Sequence, residues 1–151
     1  MAADDEDDVL LSILRLAMAI SVHAADEVGD DVSTVQLRAL TVLSGEPGCN
    51  LGRVAESMGV ALSTASRLVE RLVAADLVDR RTSESNRREV SLRLTPHGSR
   101  TLSRYDMLRL EGLNSVLDRL PADDRSTVLT GLRVLSRADV TPTGLASPGA
   151  R

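Results

Sequence analysis

The side chains best placed to do chemistry in this chain are arginines set beside small hydroxyls. Ser63, Thr64, Ser66, Arg67 and Arg71 crowd one short segment, and Arg80, Arg81, Arg87 and Arg88 follow close behind. A guanidinium offers a planar fork of donors that fits a phosphate or the acceptor edge of guanine. A small hydroxyl lets the backbone come close to either. This is the chemistry of non-covalent recognition. Bond-making chemistry lacks its usual equipment: there is no Gly-rich phosphate loop and no Ser/Cys–His pair with an acid partner. His23 and His97 lie far apart in sequence and suggest no metal site. No enzyme activity, metal or cofactor is therefore expected. Cys49 precedes a helix start, where the dipole can lower a thiol pKa, so a redox-responsive role acting through Cys49 stands as one alternative.

The elements that must hold these residues can be read from periodicity. Leu51, Val54, Ala55 and Met58 recur at i, i+3, i+4 and i+7 behind Asn50 as N-cap, and Gly59 ends the helix. Val60-Ala61-Leu62 leaves room for a three-residue turn only. A second helix is predicted from Ser63 to about Asp76, with Ala65, Leu68, Val69, Leu72 and Val73 on its apolar side and Ser63, Thr64, Ser66, Arg67, Glu70 and Arg71 opposite. Next, 77–82 and 90–95 alternate as strands around a loop holding Asn86, Arg87 and Arg88. Thr95-Pro96 opens another helix.

A helix-turn-helix followed by a basic hairpin is a winged helix. Its second helix suits the major groove of DNA, and wing arginines suit a narrow, electronegative minor groove. The implied DNA-contacting set is Ser63, Thr64, Ser66, Arg67, Arg71, Arg80, Asn86, Arg87 and Arg88. The other reading is a winged helix used as a protein-interaction module, whose DNA binding would be weak and lost by physiological salt.

The net charge of −4 opposes DNA binding until its distribution is considered. Residues 1–52 carry a net −8, residues 53–104 a net +4, and residues 105–151 none. Positive charge is confined to the winged segment, the footprint of a DNA-facing surface on an acidic chain. All 18 basic residues are arginine. One cysteine excludes an internal disulfide framework. No apolar run is expected to reach the length of a membrane span. The acidic start, Asp4 to Asp8, is unlike a secretory signal, so a cytoplasmic location is expected.

The remainder reads as helical. Leu10, Ile13, Leu14, Ala17, Ser21, Ala24 and Val28 stripe a long first helix ending at Gly29-Asp30-Asp31, and Leu37, Leu40 and Leu43 stripe a second. A long helix from Pro96 is broken at Pro121, and a last helix carries Val128, Leu129, Leu132 and Leu135. The fold class is mainly α with a small β-hairpin wing, joining a winged helix-turn-helix to a helical dimerisation region. Residues 1–140 form one domain, with about 33–95 as the winged helix and about 8–30 and 96–139 as dimerisation helices. Residues 141–151 read as a disordered tail.

Nearly the whole chain resembles the MarR-type winged-helix transcriptional regulators. The resemblance rests on 33–40, on Ser63 to Leu72 as recognition helix, on Asn86-Arg87-Arg88 leading to Leu94-Thr95-Pro96-His97-Gly98, and on Leu120 to Asp124. It implies a two-fold homodimer on double-stranded DNA, reading an inverted repeat with half-sites about 34–36 Å apart. It also implies regulation, more often repression, by a small-molecule effector in a crevice between dimer helices and winged domain. Here that crevice would be walled by Met18, Val22, His23, Leu40, Leu108 and Leu113. Two departures stand out. The family's wing usually has an aspartate where this chain has Asn86, which supplies Arg88 no charge. With one tyrosine and no phenylalanine or tryptophan, the chain also offers little to stack on an aromatic effector.

Overall fold

The computed structural model describes residues 2–29, 32–82 and 90–137, with the side chains of 2–4 and 82 left aside. Asp30 and Asp31 at the expected end of the first helix, the wing residues Asn86, Arg87 and Arg88, and the expected tail 141–151 lie outside the described residues. The chain divides into two compact units, residues 1–113 and 114–151.

The first unit begins with α1 (Ala2–Val28), α2 (Thr34–Gly45), α3 (Leu51–Met58) and α4 (Leu62–Ala74). A hairpin of β1 (Val78–Thr82) and β2 (Val90–Leu94) follows, then α5 (Pro96–Leu117), which runs past the unit boundary. The core is aliphatic, built from Leu37, Leu40 and Leu43 of α2, Val54 and Met58 of α3, Leu68, Val69 and Leu72 of α4, and Leu77, Val78 and Leu92 around the hairpin. Leu102 and Tyr105 of α5 and Ala24 and Ala25 near the end of α1 close it. Each fully buried leucine contributes about 1.5–3 kcal/mol by leaving water.

Local chemistry sets the boundaries. Ser33 and Gln36 form a reciprocal capping box at α2, with the Ser33 hydroxyl accepting from the Gln36 amide at 3.3 Å and Gln36 Oε1 accepting from the Ser33 amide at 2.9 Å. Asn50 caps α3 by accepting from the Arg53 amide at 2.9 Å, and Gly59 ends that helix at φ 66°. α4 begins at Leu62 on an Ala61 N-cap, one residue earlier than the hydroxyl pattern suggests, and ends at Ala74 instead of about Asp76. Asp76 then turns the chain at φ 55°, a left-handed conformation that aspartate tolerates better than most residues. Val73 is 37% exposed, so the apolar side of α4 is narrower than its periodicity implies.

β1 and β2 pair antiparallel with Val78 opposite Leu94, Arg80 opposite Leu92 and Thr82 opposite Val90. The loop before α3 joins them: the Gly48 amide donates to the Leu92 carbonyl and the Leu92 amide to the Cys49 carbonyl, both at 2.9 Å. The hairpin is thereby tied to the start of the helix-turn-helix. At its other end the Thr95 hydroxyl donates to the Asp76 carbonyl and accepts from the Gly98 amide. Gly98 sits against the Leu77 backbone so closely that a Cβ there would collide with the Leu77 carbonyl.

α1 corrects one expectation. Residues Asp5–Val28 form a helix long and apolar enough to cross a membrane by length and composition. Its charged residues cluster at the two ends, Asp5 to Asp8 and Asp26-Glu27, and between them only Ser12, Arg15, Ser21 and His23 interrupt the apolar sequence, so the average stays apolar although no unbroken run reveals it. Leu10, Ile13, Leu14 and Met18 are each more than half exposed. Ile20 meets α5 at Gly112, where an added Cβ would lie 3.0 Å from the Ile20 Cγ2.

The second unit holds the end of α5 and α6 (Ala122–Leu135). Asp123 and Asp124 occupy the first turn of α6, where negative charge suits the helix dipole. Val128, Leu132, Val134 and Leu135 are exposed.

Candidate nucleic-acid interface

The spacing of α4 separates its two faces. Ala65, Leu68, Val69 and Leu72 are buried and anchor the helix on the core. At about 100° per residue, Ser63, Arg67 and Glu70 fall on one ridge directly opposite, while Thr64 and Arg71 flank it on one side and Ser66 on the other. Ser63, Thr64, Arg67, Glu70 and Arg71 are all exposed. Ser66 is half-buried, and its hydroxyl donates to Glu70 Oε1 at 3.1 Å. Ala61 gives the helix no side-chain cap, which leaves the first amides of α4 to outside acceptors such as a phosphate oxygen.

The hairpin arginines differ from one another. Arg80 is exposed opposite buried Leu92, whereas Arg81 donates through Nε to Asp79 at 2.7 Å. That pairing, chiefly the hydrogen bond to the carboxylate, pushes the Arg81 pKa further up. Of the expected DNA-contacting residues, the structure thus gathers Ser63, Thr64, Ser66, Arg67 and Arg71 on α4, and places Arg80 on β1.

Arg53 counts toward the positive charge of this segment without being available for contact. Its Nε and Nη2 donate to the two Glu46 oxygens at 2.7 and 2.8 Å, and its Nη1 to Glu56 at 2.9 Å. The Arg53 hydrogen bond holds the Glu46 carboxyl below its ordinary range. Cys49 lies beside this cluster, and burial followed by the Glu46 charge pushes its thiol pKa up. A raised pKa means less thiolate, the reverse of what a redox-responsive cysteine requires.

The residues expected to wall an effector crevice are dispersed. Leu40 is fully buried in the core, Leu108 is partly buried against it, and Met18 is 69% exposed. Val22 is exposed, and His23 meets Glu27 at 2.9 Å on the surface of α1. Only Leu113 of the six lines the cleft found between α1 and α5, a space of about 430 Å³ with Ala17, Ile20, Ser21, Asp106, Arg109 and Leu110. Arg109 lies 5.2 Å from the Tyr105 ring centre and 3.4 Å from Asp106. The residues of this cleft follow a legible helical spacing, 17, 20, 21 on α1 and 106, 109, 110, 113 on α5. Sequence cannot say that those two stripes face each other. Glu70 shares the polar side in the sequence pattern, but a carboxylate has no evident affinity for phosphate, so it was not among the expected DNA contacts.

These elements match known proteins. A sequence profile described as the MarR family matches residues 30–89. The uncharacterized HTH-type transcriptional regulator YfiV of Bacillus subtilis (strain 168) is 32% identical over 109 residues, covering 72% of this chain and 68% of that protein. The crystal structure of RV1404 from Mycobacterium tuberculosis is similar at a TM-score of 0.80 and 30% identity, over 91% of this chain and 94% of that one. The transcriptional repressor CouR, solved on a 23-mer DNA duplex, is similar at a TM-score of 0.61 and 25% identity, over 86% and 90% of the two chains. With six helices and a two-stranded wing among the described residues, and with these relatives, the chain belongs to the MarR family of winged helix-turn-helix transcriptional regulators.

Proposed function

We propose that the protein is a dimeric repressor that binds a pseudo-palindromic operator in double-stranded DNA and responds to a small-molecule effector. The observation that carries this reading is the exposed ridge of α4, where Ser63 and Arg67 project opposite the buried ridge and Thr64 and Arg71 flank them. α4 enters the major groove, its ridge over the bases and its flanks against phosphates. Arg80 and the wing residues Asn86, Arg87 and Arg88 take the adjacent backbone and minor groove. CouR, a relative of similar fold, was solved on DNA and is named a repressor.

A second copy of the chain covers the exposed apolar residues of α1 and those of α6, and sets the distance between two recognition helices. The cleft between α1 and α5 is the effector site. Its lining is mostly aliphatic, with Arg109 and Asp106 as its charged groups, which suits a non-aromatic ligand with one polar end.

The test is a fluorescence-anisotropy titration of the full chain against the DNA flanking its own gene and a scrambled duplex, at low and near-physiological salt. Tight binding to the flanking DNA that survives the higher salt supports the reading. Weak, sequence-blind binding that vanishes with salt favours a winged helix that binds other proteins.

A further inference from the structure

Glu70 occupies an unexpected place for an acid. It projects from the ridge of α4 that carries Ser63 and Arg67, opposite the core, and it is exposed. Among the described residues it forms no ion pair with Arg67 one turn before it or with its neighbour Arg71. Its hydrogen bond comes instead from Ser66, at 3.1 Å. That bond engages Oε1, while Oε2 has no hydrogen-bond partner among the described residues and the side chain is exposed.

Resting on the reading of α4 as the major-groove helix, we propose that Glu70 is a specificity-determining residue that accepts a hydrogen bond from the exocyclic amine of a cytosine. A carboxylate is an acceptor only. Facing a duplex with one negative charge per about 1.7 Å of axis, it lowers affinity for every sequence unless it meets a donor. The major groove offers two such donors, cytosine N4 and adenine N6. Adenine N6 lies beside the N7 acceptor, which would repel the carboxylate. Cytosine presents no acceptor next to N4. Glu70 therefore selects cytosine and rejects guanine and thymine, whose groove edges are acceptors. Arg67 lies three residues earlier, about 4.5 Å along the axis, close to one base-pair step. The two side chains read neighbouring base pairs, guanine by Arg67 and cytosine by Glu70.

The experiment selects bound duplexes from a randomised DNA library with the full-length protein and with Glu70→Gln and Glu70→Ala, followed by titrations on the recovered sequence and its single-base variants. Thermal unfolding midpoints check that both variants fold, as expected for an exposed position. The wild type should recover a fixed cytosine in each half-site. Glu70→Ala should reduce discrimination at that one position about tenfold or more, and Glu70→Gln should shift it toward adenine, whose N6 and N7 match an amide. If both variants recover the same motif with uniformly higher affinity, the carboxylate merely repels phosphates and the proposal fails. If the wild type enriches no motif, the DNA-binding reading itself fails, and this proposal with it.

Discussion

Arg53 and Arg67 have the same charge and lie one helix apart, yet their surroundings assign them different work. Arg53 spends its donors on Glu46 and Glu56, whereas Arg67 stands exposed on α4. Arg67→Ala should therefore relax preference at one base position by about 1–3 kcal/mol in titrations on operator variants. An equal loss on every sequence would make it a phosphate contact. Arg53→Ala should leave base preference intact and lower the unfolding midpoint. The Glu46–Arg53 pair also sets a pH dependence. Glu46 titrates below its ordinary 4.5 in the folded chain, so its contribution is complete above that value and disappears as pH falls through the lower folded pKa. Urea midpoints of wild type and Glu46→Gln should differ at pH 7 and converge in acid; a gap that persists below the folded pKa would refute the pair's role.

At the scale of elements, α3 and the turn after it were legible because caps act locally: Asn50 and Gly59 perform the roles their types suggest. α4 was legible in its faces and less so in its ends. Leu62 is helical because an Ala61 carbonyl can start the ladder without a side-chain cap, which no residue type announces. The junction of hairpin and α5 was only half legible. Thr95 reads as a cap, but the demand on Gly98 arises from Leu77, far off in sequence and touching in space. Gly98→Ala should cost about 1–3 kcal/mol, the usual penalty for overpacking, measurable as a drop in urea midpoint. An unchanged midpoint would mean that α5 can shift away from β1 freely.

For the whole molecule, the proposed dimer makes the clearest demand. Leu14 is 65% exposed on α1, and a lone helix has no reason to keep such a residue in water. Leu14→Glu should convert the protein to a monomer in analytical ultracentrifugation. It should also weaken operator binding by about 100-fold or more, because two linked recognition helices gain avidity that one lacks. A variant that remains dimeric would place the interface elsewhere.

Sequence by itself determined the family, the winged helix-turn-helix and the face of α4 that carries Arg67 and Arg71, because caps, periodicity and charge are properties of near neighbours in the chain. Tertiary structure decided which charges are already spoken for and which stripes meet. Arg53, Arg81 and Ser66 are tied to Glu46, Asp79 and Glu70, and the cleft between α1 and α5 has a lining of which only Leu113 was anticipated. The reason is physical. Helical periodicity states which residues share a face, but the partner of that face is chosen by packing between segments distant in sequence, where one added methyl would overlap the Leu77 carbonyl at Gly98 and press on Ile20 at Gly112.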